Sequence, residues 1–147
     1  MPEKETLERA RKDKREGKAP STQAGEFVRE EIEHIREGKH GARSTKQAIA
    51  IGLSKARRAG VDLPPSKGAS EEVKEQAKRD TRKAKSRKRP SATRSRATRK
   101  ALKREGHSAA SKEALSRQAR SAAKKRSAAS RSRSAKKAAA TRKKRAT

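Results

Sequence analysis

Nine of the thirteen Leu, Ile, Val and Phe residues in this chain of 147 fall between positions 27 and 63. Any core must be assembled there, because Leu7, Val73, Leu102 and Leu115 stand alone among charged and small residues. Apolar burial is the main term that offsets the entropy of ordering a chain. Thirteen such residues against a net charge of +28 place most of the sequence in the compositional range of disorder. The expected fold class is therefore mostly α with extensive disorder. It comprises a small helical hairpin at about 21–59, a charged N-terminal helix and a low-complexity basic C-terminal tail.

The hairpin is written in caps and spacing. In "STQAGEFVREEIEHIRE" (21–37), Val28, Ile32 and Ile35 recur at i, i+4, i+7 with Phe27 beside them. Gly38 stands where a glycine ends a helix. Ser44 followed by Gln47 has capping-box spacing, and a second helix is expected at about 45–59, closed by Gly60. Ile49, Ile51 and Leu53 also fit a strand's alternation, but the caps at both ends and the alanine spacers favour a helix. Gly52, unfavourable in a helix interior, suggests close approach of the neighbouring helix. Phe27, Val28, Ile32, Ile35, Ile49, Ile51 and Leu53 form the expected core. Two helices bury little by themselves, and Ile51 points away from Ile49, so the same residues are the expected contact of a homodimer.

Around the hairpin (20–65) lie a charged arm at 1–19, a linker or short helix capped by Ser70 at 66–80, and the tail at 81–147. In the arm, "EKETLERARKDKRE" reads as a solvated helix with little to dock with, Leu7 being its one large apolar residue. Arg-Glu-Gly occurs at Arg15, Arg36 and Arg104, each time followed by a polar loop and a Ser/Thr cap. The third copy lacks isoleucines, so a hairpin is not expected there; residues 111–126 are read as a conditional helix that can form once a polyanion neutralises their charge.

Residues 1–75 carry 17 Lys and Arg against 14 Asp and Glu, whereas residues 76–147 carry 28 against 3. Cation blocks of this kind bind phosphate with a gain from counterion release. The candidate nucleic-acid-binding residues run in groups through the tail. Lys83, Lys85, Arg87, Lys88 and Arg89 come first, followed by Arg94, Arg96, Arg99 and Lys100. A third group holds Arg117, Arg120, Lys124, Lys125 and Arg126, and a fourth Arg131, Arg133, Lys136 and Lys137. Arg142, Lys143, Lys144 and Arg145 end the series. With one aromatic residue in the chain, stacking on bases is disfavoured and the phosphates of duplex DNA are the expected target, RNA being a second candidate.

The block "KETLERARKDKREGK" with "STQAGEFVREEIEHIREGKHGARSTKQAIAIGLSKARRAG", about residues 3–65, resembles the common region of a bacterial family of small basic proteins, a domain of unknown function. The tail "SAKKAAATRKKRAT" is similar in composition to linker-histone tails and to bacterial histone-H1-like proteins. The resemblance implies a bacterial cytoplasmic protein and no particular activity.

Other chemistry finds little support. Cysteine is absent, which removes disulfides and thiolate metal sites. No apolar run reaches the ~20 residues of a membrane span, and the N-terminus has no apolar signal core. Glu31 and His34, with His40 near, have a spacing used in metal sites, but they are read as polar residues on the solvent side of the helix and no metal is expected. The 38–43 connection is too long for a helix-turn-helix and its first helix is acidic. No phosphate loop or nucleophile–base pair is present, so neither an enzyme, a cofactor nor a small-molecule substrate is expected. The expectation is non-sequence-specific DNA binding, with compaction or bridging in the nucleoid. The alternative is a protein-interaction hairpin whose tail localises it to RNA or another anionic surface.

Overall fold

The computed structural model describes residues 1–86 and 88–147, and every regular element among them is helical. The chain divides into two compact units, Met1–Ser111 and Lys112–Thr147. The first contains α1 (Lys4–Arg15), α2 (Pro20–Arg36), α3 (Thr45–Arg58), α4 (Glu71–Lys85), α5 (Ala92–Lys103) and a 3-10 turn at Ser108–Ala110. The second contains α6 (Lys112–Lys124) and α7 (Ala128–Ala146). None of these helices is long and apolar enough to cross a membrane.

The expectation of extensive disorder is thereby corrected: beyond residue 81 the chain holds the end of α4 and three further α-helices. The reason lies in the residues between the charges. Alanine is the strongest helix former, Lys and Arg follow closely, and serines start the helices. Ser91 Oγ accepts from Arg94 N at 3.4 Å and Ser127 Oγ from Ser130 N at 3.1 Å. Helices α5 and α7 bury no residue, so backbone bonds and caps hold them where a core does not. Within segment 111–126, read as a conditional helix, α6 is helical in the chain alone.

In the first unit, α2 and α3 form the hairpin. Pro20 occupies the first turn of α2 without a side-chain cap at Ala19, a position that spares proline's missing N–H. Ser44 Oγ accepts from Gln47 N at 3.2 Å, and Gln47 Oε1 accepts from Arg43 N at 2.6 Å. The C-termini of α1, α2 and α3 repeat one device: Gly17, Gly38 and Gly60 take φ of 70°, 78° and 98°. In each case the next residue's N–H bonds five residues back, as Lys39 N does to His34 O at 3.0 Å. This is the Schellman turn, which glycine enters at no steric cost.

Phe27 and Ile35 are fully buried, and Ile32 nearly so. Val28, Ile49, Ile51 and Leu53 are partly buried. Ala10, Ala24, Phe27, Ala56 and Val61 make one cluster, with Leu7, Leu53 and Leu63 packed against it. Leu7 and Ala10 thus dock α1, read from sequence as a solvated helix with little to dock with. Much of what α1 buries is small or polar, Thr6, Ala10 and Asp13, which apolar counting overlooks. Helix α4 is held to α3 by Asp80, which is fully buried. Its carboxylate accepts from Ser54 Oγ at 2.6 Å, Arg58 Nε at 2.8 Å and Gln76 Nε2 at 3.2 Å.

The segment after α5 packs on the loop between α2 and α3. Gly41 N donates to Leu102 O at 2.9 Å and Ala42 N to Gly106 O at 3.0 Å. Arg36 Nε reaches Ala110 O at 2.9 Å and Thr45 Oγ1 reaches Ala109 O at 2.7 Å. The second and third Arg-Glu-Gly sites therefore lie at one junction, with Ala109 and Ala110 buried. Backbone pairing, which no side-chain pattern advertises, supplies the contact that missing isoleucines did not.

Candidate functional site

The cationic residues singled out from sequence divide among four helices and two connections. Lys83 and Lys85 end α4, Lys88 and Arg89 lie in the connection to α5, and Arg87 lies outside the described residues. Helix α5 carries Arg94, Arg96, Arg99 and Lys100, and α6 carries Arg117, Arg120 and Lys124. Lys125 and Arg126 follow α6, and α7 carries Arg131, Arg133, Lys136, Lys137, Arg142, Lys143, Lys144 and Arg145. All those described are exposed. Among the described residues, no ion pair takes a cation from α5, α6 or α7, and the second unit holds one acid, Glu113, against 14 Lys and Arg. Arg126 is engaged by hydroxyls, with Nη2 on Ser130 Oγ at 3.1 Å.

Helix α7 has the densest array. Its 19 residues span about 28 Å at 1.5 Å per residue. Eight cations along that length average one per ~3.6 Å, close to the ~3.4 Å spacing of phosphates along one DNA strand. The cations are distributed around the helix rather than on one stripe. An α-helix fits the DNA major groove, which has a phosphate backbone on either side. The sole aromatic residue, Phe27, is buried at 1% exposure and offers no stacking surface.

The acids are gathered elsewhere, and here the structure departs from the reading of α2 as polar on its solvent side. Glu30 and Glu31 are 2% and 0% exposed. Lys55 Nζ from α3 pairs with Glu31 Oε1 and lies 3.7 Å from Glu30 Oε1. Glu30 Oε2 accepts from the backbone N–H of Glu3 at 3.1 Å, just ahead of α1. His34 Nε2 lies 3.0 Å from Glu3 Oε1. That hydrogen bond, then contacts from Lys39, hold the Glu3 carboxyl below the usual carboxylate range. His40 Nε2 stands 3.1 Å from Glu31 Oε2. Sequence reasoning placed Glu31 on the solvent side and did not foresee the burial of Glu30, because ionised residues are seldom fully buried. The signal that could have found them is the pairing of two adjacent glutamates with Lys55 on the facing helix.

The fold and the cations define an all-helical protein with a compact, charge-balanced N-terminal part and a strongly cationic series of helices after it. Residues 4–67, covering α1 to α3, match a family model described as "Family of unknown function (DUF6496)". That supports an uncharacterised domain there and does not extend to α4–α7. No curated protein and no solved structure matches the chain.

Proposed function

We propose that the protein binds duplex DNA through its phosphates, without sequence preference, using the exposed cations of α5, α6 and α7. The observation that carries this reading is α7: eight exposed cations on one helix, no acid, and an axial spacing near that of phosphates. Counterion release on neutralising those phosphates supplies the affinity. Discrimination among bases needs side chains fixed against base edges, whereas cations all round a helix without a packed face favour no register. The bulk of this surface lies beyond the family match, so the helices of residues 4–67 serve in this reading as its folded anchor. The compositional likeness of the tail to histone-H1-like proteins agrees with a role in packaging DNA in the nucleoid.

The test is competition at matched salt. Two duplexes of unrelated sequence should displace each other from the full chain with equal potency, and single-stranded DNA lacking a groove should compete less well. A preference of tenfold or more for one duplex would overturn the proposal. Displacement by structured RNA at far lower concentration than by DNA would move the target to RNA.

A further inference from the structure

The polar centre under α2 has an arrangement that its salt bridges do not account for. Glu31 and His34 are at i, i+3 on α2, and the Gly38 turn brings His40 back against them. One donor atom from each of the three lies within 4.8 Å of the others. Glu31 Oε2 is buried and has no hydrogen-bond partner among the described residues.

The histidine contacts fix which nitrogens face this oxygen. His40 Nδ1 lies 2.9 Å from Gly41 O. A carbonyl only accepts, so Nδ1 carries the hydrogen, and in the neutral ring Nε2 presents a lone pair. That lone pair is 3.1 Å from Glu31 Oε2, another acceptor. His34 repeats the pattern. Its Nε2 is directed to the Glu3 carboxylate at 3.0 Å, leaving Nδ1 on the inner side, 4.0 Å from Glu31 Oε1. Each imidazole is thus held from outside by an acceptor and turns its other nitrogen inward. That is how proteins orient histidines that ligate a metal.

We propose that Glu31, His34 and His40 bind a divalent transition-metal ion of the zinc type. Two imidazoles and a carboxylate suit Zn2+, Co2+, Ni2+ or Cu2+, whereas Mg2+ and Ca2+ prefer oxygen donors alone. Bonds of about 2.0–2.2 Å to tetrahedral zinc place donor atoms about 3.4 Å apart. The His40–Glu31 pair is already near that spacing, and His34 closes by a side-chain rotation. Lys55 opposes the ion, since its ammonium lies on the other oxygen of Glu31. It is 24% exposed, and Glu30 adds a second buried negative charge beside it. The metal takes Oε2, and Lys55 keeps Oε1 or swings toward solvent.

Titration of the full-length protein with Co2+, followed by visible absorption, and with Zn2+, followed by calorimetry, tests this. The account predicts about one ion per chain, a tetrahedral Co2+ spectrum and no response to Mg2+. His34→Ala and His40→Ala should each weaken binding by tenfold or more, whereas His107→Ala, at an exposed position, leaves it unchanged. Lys55→Gln removes the opposing charge and should tighten binding, a result that does not depend on the histidine variants folding. Circular dichroism confirms that each variant retains its helices. No Co2+ spectrum with the folded wild-type protein, or binding that survives both histidine substitutions, would overturn the proposal. The contact between His40 and Glu31 would then be held by a proton.

Discussion

A methyl group built on Gly52 would lie 2.6 Å from Cα of Val28 and 2.9 Å from its backbone N. The obstacle is backbone, which cannot turn aside as a side chain can. Gly52→Ala therefore gains the ~1 kcal/mol of helix propensity that glycine forfeits but forces α2 and α3 apart. A net loss of about 2 kcal/mol is expected in urea denaturation. Asp80 gives a second test at this scale. Burial alone would raise its pKa, but the hydrogen bonds from Ser54 and Arg58 outweigh that and lower it. A lowered folded pKa means stability that is fully present above the unfolded value, about 3.9. It is lost as the pH falls from there through the folded value. Asp80→Asn should destabilise the protein by about 2 kcal/mol at pH 7, with the difference from wild type shrinking below pH ~4. A difference that stays constant into acid would show that the charge is not what joins α4 to α3.

At the scale of elements, local signals and tertiary contacts explain different helices. The starts and stops of α3 were legible because Ser44, Gln47 and Gly60 act on their own backbone neighbourhood. Ser44→Ala should cost about 1 kcal/mol. Gly38→Ala, strained at φ 78°, should cost about as much; both are measurable by thermal unfolding. What sequence did not disclose was contact made by inconspicuous groups. Helix α1 docks through Leu7, Ala10 and Thr6, and residues 102–110 dock through main-chain bonds to Gly41 and Ala42. Gly41 permits the latter, since a methyl there would sit 2.5 Å from Gly106 O. The buried pair Glu30 and Glu31 was missed for a related reason, since a glutamate on an amphipathic helix faces solvent unless a distant partner, here Lys55, draws it in.

For the whole molecule, the division of charge is the organising fact. The buried acids of the first unit take part in pairs that hold helices together, as Glu31 with Lys55 and Asp80 with Arg58. Among the described residues, the cations of α5, α6 and α7 enter no ion pair. That division was visible in the sequence, as were the cationic residues themselves, but the helical state of α5 and α7 was not, because composition measures core-forming capacity and these two helices have no core. A pre-formed helix holds its cations at a fixed spacing and loses less conformational entropy on binding than a disordered segment. The central claim is that these cations, acting collectively on phosphates, are the function. The most direct measurement compares the salt dependence of duplex DNA binding for the wild-type protein and for a variant with Lys136, Lys137, Arg142, Lys143, Lys144 and Arg145 changed to Gln, which preserves helix propensity. If about four of the six touch phosphate, the slope of log K against log salt should become shallower by about 3.6, with affinity falling at every salt concentration. An unchanged slope and affinity in a variant whose helicity is intact would contradict the account.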